Sequence, residues 1–366
     1  MWTDQLFTAL DAPATHARAL PPRAFSDWTL FEAERDVFRG DWVFLCMAAD
    51  VSAPGTWRTV DIAGEPAVLL RDPADATLRL LSNVCRHRGA LLLEGAGVLD
   101  RSNIVCPYHA WTYSSEGRFK GAPFCKRGRV SPDDHSLSVF RVDTWRGMVF
   151  GTLNPDAPAL SERVAGVDAC VPPPEASWTS VESPAVVWEA NWKVILENAM
   201  ESYHLFKVHP QTLEPYSPTR EARYVSGGAH YSVTAGTTYN ANGGTGSYTL
   251  FLLPPNMVGV HDGQSLSLLV VEPMSPERSC VRAVSAYEGA GSRWTSMLGA
   301  TAGYEAHAKA FLAEDKAICE RVQRGARARH WNGGVLVELE RIVGDFHAYL
   351  GDRLDRSRLR AVDSVS

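Results

Sequence analysis

The chain has 366 residues, enough for two domains with sizeable cores. Its 45% hydrophobic and 21% charged residues are ordinary for a soluble globular protein, and its net charge of −6 leaves no basic patch suited to nucleic acid or an anionic membrane surface. No apolar run approaches the roughly 20 residues that a membrane span needs, and no basic-then-apolar targeting segment opens the chain, so we expect a cytoplasmic protein without nucleic-acid or membrane partners.

The first 155 residues contain one predicted helix followed by short apolar runs. The helix covers residues 30–38, within an N-terminal segment, 1–40, that we expect to pack on the second domain. From residue 41 onward, Gly, Pro and Asp divide the chain into runs typical of strands. The predicted strands cover residues 42–46, 66–70, 78–81 and 145–153, and a hairpin turn is predicted at 115–117. Residues 41–155 are therefore expected to form a small all-β domain.

Four residues of this domain form a Cys-x-His and a Cys-x-x-His pair: Cys85 with His87, and Cys106 with His109, separated by residues 88–105. Two thiolates and two imidazoles from two loops are the ligands of a Rieske [2Fe–2S] cluster. Zinc also accepts Cys₂His₂, but zinc fingers place their Cys on one arm and their His on the other. Because each arm here supplies one of each, we favour the cluster. The remaining five cysteines are predicted to be buried free thiols, which fits a reducing cytoplasm: Cys46, Cys125, Cys170, Cys280 and Cys319.

The rest of the chain, residues 156–366, alternates between helix-like and strand-like patterns. Helices are predicted over residues 191–208, 304–324 and 335–350. Strands are predicted over residues 229–238, 248–253, 265–272 and 280–288. Strands followed by a long C-terminal helix indicate an α+β domain in which one antiparallel sheet wraps a helix.

His204 and His209 lie five residues apart in the first of these helices. On a regular helix, five residues rotate by about 500°, so the two rings diverge by about 140°. Convergence on one ion therefore requires the helix to unwind between them. Pro210 supports this, because the residue before a proline is biased out of the α region. Taken alone, two histidines are more often surface or satisfied core residues than metal ligands.

A third residue, Asp315, favours metal binding over a surface or core role for the two histidines. Together with Phe311, Ile318 and Val322, it falls on one stripe of the predicted helix. An unpaired carboxylate in an apolar face costs several kcal/mol, so it needs a cation or a metal. An Arg partner, or a shifted register that exposes Asp315, are the alternatives. Two His and one carboxylate form the facial triad of non-haem Fe(II) oxygenases.

These motifs resemble the α (terminal oxygenase) subunits of the Rieske non-haem iron oxygenases over nearly the whole chain. The second-domain motifs that carry the resemblance are Asn191-Trp192-Lys193, Glu197-Asn198, Glu201-x-x-His204-x₄-His209-Pro210 and Glu314-Asp315. The resemblance implies a Rieske domain over 41–155 and a catalytic domain of helix-grip (START/Bet v1-like) fold over 156–366. It assigns His204, His209 and Asp315 to a mononuclear Fe(II), and Asn198 and Glu201 to catalysis.

By the same resemblance, Glu201 links His204 to His109 of the next subunit in a homotrimer. Ring-dihydroxylating members usually have Asp at this position, whereas relatives that oxygenate quaternary amines have Glu. The Glu therefore favours monooxygenation.

The expected function is the terminal oxygenase component of such a system. It would use O₂ and two electrons from a separate NAD(P)H-dependent reductase, directly or through a ferredoxin, to hydroxylate or oxidatively dealkylate a small aromatic or alkylamine substrate. The alternatives are a cis-dihydroxylating aromatic ring dioxygenase and a Rieske electron-transfer protein without oxygenase activity. The predicted walls of the substrate pocket are Leu205, Phe206, Phe251, Asn256, Val258 and Val260.

Overall fold

The computed structural model describes residues 2–99, 102–126, 128–173, 178–239, 244–263, 265–288, 300–328 and 330–363. The chain divides into two compact units. Phe38–Leu160 is called the β unit here, and Met1–Val37 together with Ser161–Ser366 is called the α+β unit.

Helices and strands alternate differently in the two units, and every pairing between the described strands is antiparallel. The helices are α1 (Trp2–Leu10), α2 (Trp28–Gly40), α3 (Pro132–His135), α4 (Leu160–Asp168), α5 (Trp192–Ala199), α6 (Leu205–Val208), α7 (Ala300–Gly325), α8 (Arg341–Arg353) and α9 (Arg356–Asp363). The strands are β1 (Val43–Met47), β2 (Thr56–Ile62), β3 (Glu65–Arg71), β4 (Leu78–Ser82), β5 (Ala96–Val98), β6 (Asn103–Val105), β7 (Thr112–Ser114), β8 (Phe119–Gly121), β9 (Val139–Trp145), β10 (Met148–Thr152), β11 (Trp178–Glu182), β12 (Val186–Trp188), β13 (Arg223–Gly228), β14 (Tyr231–Tyr239), β15 (Thr245–Leu253), β16 (Met257–His261), β17 (Ser265–Ser275) and β18 (Arg278–Glu288).

The β unit consists of a seven-stranded sheet, in the order β1-β10-β9-β4-β3-β2-β5, and a three-stranded sheet, β6-β7-β8. A buried cluster that includes Val68, Leu81 and Tyr113 packs beneath the two Cys-His loops, and Cys85 and Cys106 belong to it. The loops are therefore anchored through their cysteines in an apolar core.

The strand predicted over residues 145–153 is shorter than expected. Trp145 ends β9 and pairs with Met148, the first residue of β10. Arg146 and Gly147, between them, both have positive φ (50° and 77°). A two-residue hairpin turn requires this backbone conformation because it matches the twist of the flanking strands.

The α+β unit contains an antiparallel sheet in the order β11-β18-β17-β16-β15-β14-β13, and β12 also pairs with β18. Helix α5 contacts α7 and the strands β16 and β17, whereas α8 contacts β13 and β14. The indole of Trp192 packs edge-on against Phe346, with ring centroids 5.6 Å apart. This arrangement of helices on an antiparallel sheet confirms the predicted α+β class.

A buried ion pair connects α2 to α5. The Lys193 ammonium lies 2.6 Å from one Glu34 carboxylate oxygen, and the Trp192 indole N–H donates to the other oxygen at 2.7 Å. Both charged side chains are almost fully buried, so each depends on the other for compensation. The Trp-Lys part of the sequence motif is thus a structural anchor for the N-terminal segment.

Two helix predictions were wrong in their bounds. The helix expected over residues 191–208 is two helices, α5 and α6, with a break between them. The helix expected from residue 335 begins at Arg341, because Val335 instead forms a β-bridge with Arg18 and a 3₁₀ turn occupies Glu338–Glu340.

All seven cysteines are free thiols. Cys46 and Cys319 are buried, as predicted, but Cys170 and Cys280 are only half-buried and Cys125 is exposed. Cys125 lies in an irregular segment between β8 and α3. Among the described residues, no helix is both long enough and apolar enough to cross a membrane.

Candidate metal centres

Two loops of the β unit, which follow β4 and β6, present the first predicted site and share one backbone geometry. In each loop the Cys carbonyl accepts a hydrogen bond from the backbone N–H four residues later, at Gly89 and at Ala110 (both 3.0 Å). The Cys N–H donates to the carbonyl five residues later, at 2.8 Å in both loops. Gly89 and Ala110 both have positive φ, 75° and 56°. Each loop therefore folds back on itself and presents one Cys and one His.

The four side chains divide into two buried thiols and two imidazoles near the surface. Cys85 and Cys106 are buried, whereas His87 is exposed and His109 is half-buried. The imidazole centroids are 4.8 Å apart. The buried His109 Nδ1 has no hydrogen-bond partner in the described part of the chain. Buried polar atoms are rarely left unpaired, so a metal bound at this nitrogen fits the site.

Neighbouring groups modulate the two thiols. The Tyr113 hydroxyl lies 3.4 Å from the Cys85 sulfur and accepts a hydrogen bond from the Arg86 N–H. Burial raises the pKa of the Cys85 thiol. At Cys106 burial has the same tendency, but hydrogen bonds from the backbone N–H groups of Tyr108 and His109 outweigh it and lower the pKa. These N–H groups favour the thiolate, the form that binds iron.

The second site begins where α5 ends. Met200 is the C-cap of α5, His204 precedes α6 and His209 follows it. The Glu201 carboxylate accepts hydrogen bonds from the backbone N–H groups of Tyr203 and His204, which fixes the chain between the two helices. His204 itself is the N-cap of α6 and makes no side-chain capping hydrogen bond. The break therefore lies before His204, not between the two His as the sequence analysis required.

The two imidazoles nevertheless converge. Their ring centroids are 5.1 Å apart. His209 has a non-helical backbone (φ −115°, ψ 43°), as expected for the residue before Pro210. Asp315 Oδ1 of α7 lies 2.9 Å from His209 Nε2 and 3.5 Å from His204 Nε2. One ligand atom from each of the three residues can be chosen so that all lie within 4.8 Å of one another.

Carboxylates occupy the opposite nitrogens of both rings. His204 Nδ1 lies 2.6 Å from Glu201 Oε1, and His209 Nδ1 lies 2.7 Å from Glu314 Oε2. With each Nδ1 donating to a carboxylate, both Nε2 atoms face Asp315 and are the nitrogens left to bind a metal ion. Two imidazole nitrogens and one carboxylate oxygen are a donor set suited to a divalent iron with open positions.

The surrounding carboxylates change the protonation of the triad. Burial opposes the charged form of His204, but hydrogen bonds to Asp315 and Glu201 outweigh it and raise its pKa to about 9. Burial likewise opposes the ionised form of Asp315, yet the two imidazoles keep its pKa below the usual value. Three carboxylates surround two imidazoles, so the site attracts positive charge, whether protons or a metal ion.

The buried face of α7 departs from the predicted stripe towards the end of the helix. Phe311, Asp315 and Ile318 are half-buried, but Val322 is 45% exposed, whereas Cys319 and Gln323 are buried. Asp315, Cys319 and Gln323 follow one another in steps of four residues, which is more than the 3.6 residues of one turn. The buried face therefore moves around the axis of this 26-residue helix.

A cavity of about 200 Å³ opens beside the triad. Three predicted pocket residues, Leu205, Val258 and Val260, line it together with His204, His209, Asp315 and Glu201. The other described lining residues are mostly apolar: Ala199, Ser202, Leu213, Ser217, Tyr248, Leu250, Ser267, Leu268, Leu269, Ala283, Val284, Ser285, Phe311 and Leu312.

Four other predicted site residues are absent from the described cavity wall. Phe206 is 51% exposed. Phe251 is fully buried, with its ring over Gly259; since Tyr248 and Leu250 face the cavity, strand alternation turns Phe251 to the opposite face. Asn256 is buried in the turn between β15 and β16, and Asn198 is half-buried near the end of α5.

Sequence reasoning missed the hydrogen bond between Glu314 and His209 and most of the cavity wall. Ser267 and Ser285 face each other across β17 and β18, and the Ser202 and Tyr248 hydroxyls lie 3.2 Å apart. Phe311 could have been predicted as a wall residue, because it lies on the same helical stripe one turn before Asp315. The serines carried no signal, because isolated serines in strands are common.

Comparisons with known proteins place both sites in known domains. The family model for the Rieske [2Fe-2S] domain matches residues 41–144, and the model for the ring hydroxylating alpha subunit (catalytic domain) matches residues 175–356. The chain is 32% identical over 219 residues to the glycine betaine monooxygenase oxygenase subunit of Chromohalobacter salexigens, covering 57% of this chain and 48% of that protein. It is 32% identical over 207 residues to the carnitine monooxygenase oxygenase subunit of Escherichia coli strain K12, covering 53% of each.

A solved structure shows the same fold over nearly the whole chain. It is a quaternary ammonium Rieske monooxygenase, described with reference to carnitine oxidation and inter-subunit electron transfer. The TM-score is 0.80 and the identity 20%, covering 94% of this chain and 96% of that one.

The chain therefore belongs to the Rieske non-haem iron oxygenase α subunits, which confirms the resemblance seen in its motifs. Its cofactors are a [2Fe–2S] cluster and a mononuclear iron, as predicted. The chain spans about half the length of the curated relatives it matches.

Proposed function

We propose that the chain is the terminal oxygenase component of a Rieske oxygenase system that monooxygenates a small alkylamine or aromatic substrate. The observation that carries the proposal is the convergence of His204, His209 and Asp315 beside an apolar cavity. The names of the relatives, glycine betaine and carnitine monooxygenase subunits, favour an alkylamine and monooxygenation over cis-dihydroxylation.

The proposal assigns the cluster to Cys85, His87, Cys106 and His109, and the iron to the triad. Held by these residues, the iron would leave open positions for O₂, and the cluster would supply electrons. In the balanced reaction, one O₂, two electrons and two protons convert a C–H bond to C–OH and release one water. On an N-methyl group, the hydroxylated carbon then leaves as an aldehyde, which is oxidative dealkylation.

The chain's own residues bind and orient the reactants. The apolar walls, such as Val258 and Val260, exclude water and hold the alkyl or aryl part of the substrate. The hydroxyls of Ser202 and Tyr248 can hydrogen-bond to a polar group. We propose that Asn198, near the end of α5, also takes part in catalysis.

We also propose that the chain works with electron-transfer partners and as a homotrimer. The electrons come from a separate NAD(P)H-dependent reductase, directly or through a ferredoxin. In a homotrimer, Glu201 bridges His204 to His109 of the neighbouring subunit, as inter-subunit electron transfer in the similar solved structure suggests. The bond between Glu201 and His204 supports one half of that bridge. A cytoplasmic location fits the seven free thiols.

Asp315→Ala tests the proposal. We expect this variant to lose the mononuclear iron and turnover but keep the [2Fe–2S] spectrum, because the two sets of ligands lie in different units. Iron and sulfide analysis should give one iron beyond the cluster in the wild type and none in the variant. Turnover is measured as substrate-dependent O₂ uptake with a surrogate reductase, over betaines, other alkylamines and aromatic acids.

Asp352→Ala, at an exposed position of α8, is the matched control and should retain both metals and activity. A wild-type protein with cluster iron only, or an Asp315→Ala variant with full turnover, would contradict the oxygenase assignment. The first result would indicate an electron-transfer protein.

A further inference from the structure

His209 is held between two consecutive residues of α7. Its Nε2 lies 2.9 Å from Asp315 Oδ1, and its Nδ1 lies 2.7 Å from Glu314 Oε2. The imidazole is fully buried. Adjacent residues of a helix point about 100° apart, so only the longer Glu side chain can reach around the ring to the far nitrogen.

Thr212 fixes the carboxylate from the other side. Its hydroxyl donates to Glu314 Oε2 at 2.6 Å and lies 3.4 Å from His209 Nδ1. The Glu314 side chain is 35% exposed, so without these hydrogen bonds it could adopt several rotamers. Two donors on one carboxylate oxygen select a single orientation, and both donors come from the segment 209–212, which also carries the imidazole.

The hydrogen-bond partners of the His209 ring determine which of its nitrogens carries a proton. A neutral imidazole has one N–H and one lone pair, and an ionised carboxylate can only accept. With Glu314 at Nδ1, that nitrogen keeps its proton, and Nε2, beside Asp315, is the nitrogen that can give up its proton and bind a metal ion. His204 has the same arrangement with Glu201. Glu314, however, has its own support in Thr212 and no proposed task in electron transfer.

We propose that Glu314, held by Thr212, is a positioning residue that fixes the tautomer and ring orientation of His209 for metal binding. This inference rests on the proposed function, because it takes His209 as an iron ligand. Outer carboxylates of this kind typically change metal affinity by 10–100-fold when removed.

The test is metal affinity, measured independently of turnover. Protein depleted of mononuclear iron, with its cluster retained, is titrated with Co(II) and followed by the visible absorption of the bound ion. Glu314→Ala should weaken Co(II) binding by about 10–100-fold. Glu314→Gln keeps an acceptor oxygen and should recover part of the loss. Thr212→Val should weaken binding by several-fold, whereas Thr212→Ser, which keeps the hydroxyl, should bind like the wild type.

Glu320→Gln is the matched control. It removes the same charge from the same helix, at a carboxylate that pairs with Lys316 and accepts from the Glu189 N–H. If Glu314 acts only through the net charge or the stability of the helix, the Glu314→Gln and Glu320→Gln variants should show similar losses, and that result would overturn the inference. Wild-type affinity in Glu314→Ala would do the same.

Two further measurements keep the outcomes distinct. If Glu314→Ala unfolds, judged by thermal unfolding and the cluster spectrum, Thr212→Val against Thr212→Ser decides the question. If the wild type binds no Co(II) at one site per chain, the proposed function fails as well. Wild-type binding with no effect of Glu314 or Thr212 removes only the positioning role.

Discussion

At the residue scale, protons and a metal ion compete for His204. Burial disfavours its charged form, but hydrogen bonds to Asp315 and Glu201 raise its pKa to about 9, and the pKa of His209 is raised in the same way. A ligand imidazole must be neutral, so at pH 7 metal binding displaces protons. We therefore expect Co(II) affinity to fall as pH falls from about 9, by about tenfold per pH unit for each proton displaced.

Titration of metal-depleted protein at several pH values between 6.5 and 9, with proton release followed in weak buffer, measures this effect. The affinity should level off as the pH passes the pKa of His204. An affinity that does not change across this range would show that both imidazoles are already neutral in the metal-free protein.

At the element scale, Asn191, the N-cap of α5, makes three hydrogen bonds through its side chain and its backbone N–H. The Asn191 side chain accepts from the Lys193 N–H at 2.9 Å and donates to the Pro276 carbonyl at 2.6 Å, and its backbone N–H donates to Gln323. Asn191→Ala removes the N-cap and leaves a buried carbonyl unpaired, so we expect a loss of about 2–3 kcal/mol in the free energy of unfolding. Urea unfolding measures the loss, and Asn191→Ser, which keeps an uncharged cap acceptor, should lose less.

The elements also show what the sequence could predict around the site. Two His five residues apart and a carboxylate in an apolar stripe were enough to select the triad residues. The position of the helix break was not predicted, because it depends on the Glu201 carboxylate accepting hydrogen bonds from the backbone N–H groups of Tyr203 and His204. Likewise, a stripe defined by four residues could not show that α7 turns Val322 to solvent. A local side-chain hydrogen bond decides the first feature and tertiary contacts decide the second, and the hydrophobic pattern indicates neither.

The cavity wall was predicted least well for a related reason. Val258 and Val260 alternate correctly on β16, but Phe251 lies on the opposite face of β15. Hydrophobicity alone does not distinguish the two faces of a strand that is buried on both sides. Only the register with the neighbouring strands assigns each residue to a face.

At the scale of the whole molecule, the proposed electron path makes Glu201 the contact between subunits. Its carboxylate already accepts from His204 Nδ1 at 2.6 Å and is largely buried. In the proposed trimer it would also accept from the neighbour's His109 and so join the cluster of one subunit to the iron of the next. Glu201→Gln should keep both metals and the assembly but slow cluster-to-iron electron transfer by orders of magnitude.

Stopped-flow reoxidation of the reduced cluster, with substrate and O₂, measures that rate, and size-exclusion chromatography checks the assembly. Glu201→Asp should be milder, because the charge remains and only reach is lost, whereas Glu320→Gln, on the same unit but away from both His, should leave the rate unchanged. An amide at position 201 accepts from one imidazole but no longer stabilises the positive charge that the two share, so the rate should fall even in protein that is fully loaded with both metals. A wild-type rate in Glu201→Gln, or a monomer that turns over, would remove Glu201 from the path and with it the need for a ring.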